Sequence, residues 1–131
     1  MGQANVELAR TAYAALLRDD IDAFVALAHP DVEWHSLVLE IEGEFRGHDG
    51  IRRWWESIRS AFPDWRPALT DIEARGDWVL MHAQATGSGA ASGVGIAGDF
   101  WQAVEVRDGL VVRYHAVRTR GEALRIVERR D

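Results

Sequence analysis

Three residues in this sequence have side chains and settings suited to chemistry on a small molecule. His35 stands near the end of Pro30-Asp31-Val32-Glu33-Trp34-His35-Ser36, Gln102 lies inside Asp99–Val106, and Tyr114 lies inside Leu110–Arg118. An imidazole titrates near about pH 6.5, so His35 is suited to act as a general base or a hydrogen-bonding anchor. Its plain alternative is a strand-end cap or a loop contact. A buried amide such as Gln102 must find partners or a ligand. Side chains alternate along a strand, so Tyr114 shares an inward row with Ala116 and Arg118, with Arg118 toward the mouth, while His115 faces the other way.

Other reaction classes lack their residues. There is no cysteine, hence no disulfide, thiolate nucleophile or cysteine-ligated metal. His29, His35, His48, His82 and His115 show no i, i+2 or i+4 pairing, so no metal is expected. Gly87–Gly93 is glycine-rich, but it lacks dinucleotide-fingerprint spacing and leads to a strand rather than a helix, which argues against a phosphate cradle. No serine sits in a nucleophile elbow. Arg118, Arg120, Arg125, Arg129 and Arg130 alternate with acidic residues and read as a solvated helix face.

Composition narrows the partners. A formal net charge of −6 disfavours nucleic acid and anionic membrane surfaces, which need a basic footprint. No apolar run approaches the roughly 20 residues of a membrane span, and the first residues lack a basic region followed by an apolar one. Gly2 follows Met1, but Val6 occupies the position where myristoylation expects Ser or Thr. A cytoplasmic protein is expected. Six tryptophans in 131 residues are rich material for a core or a pocket that takes a small apolar molecule.

The elements that would position these residues follow from periodicity. Val6, Ala9, Tyr13, Leu16 and Leu17 predict a helix over Asn5–Arg18, and Asp19 or Asp20 would cap a short second helix over Ile21–Ala28 that Pro30 closes. A strand, a second short strand with a turn near Gly43, and a helix opening at Gly47–Gly50 come next. In that helix Ile51, Trp54, Trp55, Ile58 and Phe62 form one apolar stripe. Core packing is the simplest use of Trp54 and Trp55, and either ring is also available as a pocket wall.

After Pro63 the period falls to about two. Arg66–Ala74, Trp78–Gly87, Asp99–Val106 and Leu110–Arg118 read as four strands, with turns at Arg75–Asp77 and Arg107–Gly109 and a flexible connection over Gly87–Gly95. Val79, Met81, Ala83 and Ala85 share one face, and Trp78, Leu80, His82 and Gln84 the other. Phe100 and Gln102 share a face that Trp101 opposes. Gly121–Arg129 ends the chain as a short helix. One domain over residues 1–131 is expected, of the α+β class.

The runs Asp19–Phe24, Pro30–Ser36, Phe45–Trp55, Gly76–Gly89 and Arg107–Val117, in that order, resemble the SnoaL-like branch of the nuclear transport factor 2-like superfamily, which also contains ketosteroid isomerases and limonene epoxide hydrolases. The resemblance implies a cone-shaped barrel: three N-terminal helices packed on a curved, mostly antiparallel sheet, with a short C-terminal helix and one deep pocket. It also implies a homodimer paired through the sheets, with His115 and, if the Val79 row is the core row, His82 in the interface. The isomerases' aspartate base falls at His35, their oxyanion-side acid near Gln102, and their pocket tyrosine beside Tyr13. The acidic residue of the cyclases falls at Ala116, which cannot move a proton.

The resulting expectation is a binder of a small apolar metabolite, or a cofactor-free isomerase, cyclase or dehydratase working by acid–base chemistry. His35, Tyr114 and Gln102 would carry the reaction, and Tyr13, Trp54, Trp55, Phe100 and Arg118 would line the ligand. The alternative is a non-catalytic ligand-binding or dimerisation module, favoured by the missing acid at Ala116.

Overall fold

The computed structural model describes residues 2–36, 44–61, 63–86 and 98–129. Its first two helices, α1 (Gly2–Leu17) and α2 (Ile21–Val25), meet at a sharp turn. Asp19 there adopts a left-handed φ of 62°, and the Asp20 carboxylate accepts a 3.1 Å hydrogen bond from the Ala23 amide at the start of α2. α2 is shorter than its sequence pattern predicts because Ala28 already belongs to β1 (Ala28–His35). Pro30 therefore lies inside that strand. The β1 register is irregular between Ala28 and Glu33, a setting that tolerates a residue with no N–H to donate.

β2 (Glu44–Arg46) runs into α3 (Gly47–Ala61). Gly47 has φ of 73°, and a Cβ there would come within 3.0 Å of the Pro30 carbonyl, so this junction needs glycine. One residue on, His48 Nε2 donates to the Ala28 carbonyl at 2.8 Å and ties the start of α3 to β1. The expected turn near Gly43, the helix position of Phe62 and the Gly87–Gly95 connection lie outside the described residues.

β3 (Arg66–Arg75), β4 (Trp78–Thr86), β5 (Gly98–Arg107) and β6 (Leu110–Val117) form the antiparallel meander that the period-two pattern predicts, and α4 (Arg120–Arg129) follows. Asp108 and Gly109 both take positive φ, 52° and 77°, which suits a tight hairpin. The sheet order is β2-β1-β6-β5-β4-β3, and β1 lies parallel to β6 in an otherwise antiparallel array. This is the α+β cone that the sequence leads one to expect.

The two sheet faces have different covers. The inner row of Val79, Met81, Ala83 and Ala85 packs with Ile51, Trp54, Trp55 and Ile58 of α3 and with Ala9, Ala15 and Leu16 of α1. On the outer face, Trp78, Leu80 and Ala103 are covered by Ala123 and Val127 of α4. α4 is held by a capping box: Thr119 Oγ1 accepts from the Glu122 amide at 3.1 Å, and Glu122 accepts from the Thr119 amide at 3.2 Å. Among the described residues, no helix is long and apolar enough to cross a membrane.

Candidate ligand chamber

The inner faces of β1, β4, β5 and β6 and the α1 and α3 helices enclose a small cavity of about 50 Å³. Its wall is aromatic: Phe24, Trp34, Trp54, Trp65, Phe100 and Tyr114. Tyr114 and Trp34 occupy paired positions on β6 and β1, and their rings stack with centroids 4.0 Å apart. Trp54 meets Trp34 edge to face at 5.1 Å and donates from Nε1 to Ser36 Oγ at 2.9 Å.

Polar groups also enter this wall. Gln102, 3 % exposed, donates from Nε2 to the Tyr13 hydroxyl oxygen at 2.5 Å, joining β5 to α1 across the chamber. With its oxygen accepting from the amide, the Tyr13 hydroxyl keeps its own proton to donate. Burial pushes the Tyr13 phenol well above its ordinary value of 10.0, although the bond from Gln102 pulls it partly back. The Tyr114 phenol is likewise raised, by burial first and by the neighbouring Tyr13 second. Both stay protonated at neutral pH. Among the described lining residues there is no carboxylate and no imidazole, so the wall donates hydrogen bonds to an oxygen but does not take up a proton near pH 7.

The structure thus brings together five of the residues singled out from the sequence: Tyr13, Trp54, Phe100, Gln102 and Tyr114. It does not bring His35 to them. Trp34 is the β1 residue that faces inward, so His35, one position on, projects from the outer face. There its ring stacks on His115 with centroids 4.3 Å apart, and Nε2 lies 3.6 Å from Glu33. Trp55 is buried but is not part of the chamber wall, and its Nε1 donates to Asp19 at 2.8 Å. Arg118 lies beyond the end of β6, exposed, with its amide donating to Glu122 at 3.1 Å.

Sequence reasoning passed over Phe24, Trp34 and Trp65 as wall residues. A signal for Trp34 existed: Val32 and Trp34 are the apolar alternates of β1, and they mark its inward row at the expense of Glu33 and His35.

The outer face holds a wider trough, about 1190 Å³, between the sheet and α4. Its charges are largely matched to one another. Buried Glu105 accepts from Arg107 and Arg113 at 2.7 Å each, and Arg113 also reaches Glu33 at 3.4 Å. Burial alone would raise the Glu33 carboxyl, but Arg113, the contact with His35 and the charge of Arg46 hold it below its ordinary 4.5. His82 is on this face too, bonded to Thr70 and packed on Trp101 at 4.6 Å. The arrangement is a settled ion-pair surface, and the chamber is the more suitable place for an apolar ligand.

Known structures share this architecture. TerC, co-crystallised with polyporic acid, superposes with a TM-score of 0.76 at 24% identity over 95% of this chain and 98% of its own. A nuclear transport factor 2-like protein of unknown function from Burkholderia pseudomallei gives 0.77 at 20% identity, covering 95% and 97%. A Kribbella flavida protein provisionally named a ketosteroid isomerase gives 0.67 at 22% identity, covering 88% and 77%. Among curated protein sequences none matches. These likenesses establish the fold, and residues 9–114 match the SnoaL-like domain model, so the chain belongs to the SnoaL-like domain family.

Proposed function

We propose that this protein binds a small, flat, largely apolar molecule in the inner chamber and holds an oxygen of that molecule against the Tyr13–Gln102 pair. The observation that carries this reading is the wall itself: aromatic rings interrupted by neutral hydrogen-bond donors, with no group among the described lining residues that titrates near neutrality. Such a wall favours an uncharged ligand with a carbonyl-type acceptor. It also polarises that carbonyl, because donors in a dry site act at low dielectric. A chamber of about 50 Å³ holds little more than water, so a ring-sized ligand requires the wall to yield. α1 is the suitable part to move, since it packs on the core through the small Ala9, Ala12 and Ala15 beside Leu16 and Tyr13 and, among the described residues, is tied to the sheet by the Tyr13–Gln102 side-chain bond.

A second reading, cofactor-free isomerase or cyclase chemistry, draws on the same donor pair, which suits a developing enolate oxygen. It needs a proton acceptor that the described wall does not supply, and for that reason binding is preferred. His35 on the outer face is not that acceptor. Pairing of two copies through the outer sheet face belongs to the same proposal, with the stacked His35 and His115 inside the contact.

One experiment separates the readings. The protein is mixed with 1-indanone in D2O, and binding and exchange of the C2 protons are followed together by NMR. Saturable binding that is lost in Ala12→Phe, without faster exchange, is the expected result, because Ala12 lines the chamber and a ring there fills it. Accelerated exchange abolished by Gln102→Leu would instead favour catalysis. No binding at all would remove the ligand-chamber reading. Sedimentation of wild type and His115→Glu tests the paired state.

A further inference from the structure

The Tyr13–Gln102 pair is not the whole polar content of the chamber. Trp34 Nε1 is buried and has no hydrogen-bond partner among the described residues. Buried donors are nearly always paired, and a group left unpaired carries its desolvation penalty with nothing in return. Neighbouring tryptophans show how the fold ordinarily meets this need. Trp54 Nε1 donates to Ser36 at 2.9 Å, and Trp55 Nε1 donates to Asp19 at 2.8 Å. Trp34 alone among these three is left without an acceptor.

The orphan belongs to a wall residue of the chamber. The Trp34 ring stacks on Tyr114 and meets Phe24 and Trp54 edge to face, at 5.6 and 5.1 Å, and all four rings line the chamber. The unpaired N–H therefore belongs to a residue of the chamber wall. Phenylalanine would serve the stacking with no donor to satisfy. A ring face of Trp54 or Phe24 offers an N–H only a weak contact. An indole N–H donates and never accepts, so its complement is an oxygen that only accepts.

We infer that Trp34 Nε1–H is an oxygen-recognition point of the chamber, and that the ligand class is a flat ring ketone or similar carbonyl compound whose oxygen accepts from Trp34. The inference rests on the ligand-chamber reading above and adds the discriminating group to it. The aromatic rings of the chamber wall select for a ring as the carrier of that carbonyl, and a hydrocarbon of the same shape leaves the donor as unsatisfied as before.

The test uses 1-indanone and indane, which share a shape and differ by the carbonyl, titrated into 15N-labelled wild type and Trp34→Phe. Wild type is expected to bind the ketone roughly fivefold to tenfold more tightly, the worth of one net hydrogen bond. Trp34→Phe is expected to lower that ketone-over-indane ratio by about threefold or more, whatever the change in its affinity for indane, the remaining preference being owed to the Tyr13–Gln102 donors. In wild type the Trp34 indole proton, assigned by its contacts to the Tyr114 ring, should move downfield with the ketone and not with indane, a readout that does not depend on the variant folding. Equal binding of both probes by wild type, a static indole proton, or an undiminished ketone preference in Trp34→Phe overturns the inference and leaves the chamber reading standing. Failure of wild type to bind 1-indanone overturns both.

Discussion

Trp34 and Tyr114 stack at 4.0 Å, planes 16° apart, across the parallel β1–β6 pairing, joining strands far apart in sequence into one wall of the chamber. Both rings are buried, so the pair is expected to contribute beyond its area. Tyr114→Ala should destabilise the fold by about 3 to 5 kcal/mol, as large-to-small aromatic changes do. A double-mutant cycle with Trp34→Leu and Tyr114→Leu, read by urea unfolding, should give a coupling of about 0.5 to 1.5 kcal/mol. Additive effects would show that the stack is only adjacency.

The Tyr13–Gln102 bond should behave as a unit. Removing either partner leaves a buried group unpaired, so Tyr13→Phe and Gln102→Leu should each cost about 1 to 3 kcal/mol. The double variant removes both polar groups together and should cost clearly less than the sum of the two. Chemical denaturation of the four proteins measures this.

His35→Ala should leave 1-indanone affinity unchanged, because its ring stands on the outer face with His115 and Glu33. Both contacts are partly solvated, so stability should change by less than about 1 kcal/mol. A marked loss of ligand affinity would place the ring in communication with the chamber.

Acid stability should depend on Asp19. The hydrogen bond from Trp55, together with Arg59 at 2.9 Å, holds its carboxyl below the ordinary 3.8 despite some desolvation. The folded value lies below the unfolded one, so protonation favours the unfolded chain. The contribution is complete above pH 3.8 and is lost as pH falls through the lower folded value. Asn tolerates the left-handed backbone that Asp19 adopts, so Asp19→Asn changes the charge with little backbone penalty. Its Tm should lie below that of wild type near pH 6, and the gap should narrow below pH 3.8. A gap constant across that range would assign the effect to packing.

Local pattern and resemblance carried much of the architecture. The apolar stripe of α3, the alternation of Val79, Met81, Ala83 and Ala85, and the Asp108–Gly109 hairpin each need only neighbours a few residues away, and each is legible in the sequence. The same alternation puts Phe100 and Gln102 on one face of β5, the face that lines the chamber together with Tyr114.

What the sequence by itself determined, then, is the set of elements and which residues of each long strand share a face, because helical and strand periods are local properties. Tertiary structure decided the direction of β1. A strand has period two, so a one-residue error in aligning it exchanges its faces, and the position matched to a general base turned out to point outward while Trp34 points in. It also decided which distant groups meet: Tyr13 with Gln102, Trp55 with Asp19, and α4 over Trp78 and Leu80. Those contacts depend on how helices and sheet close around one another, and no spacing along the chain encodes that distance.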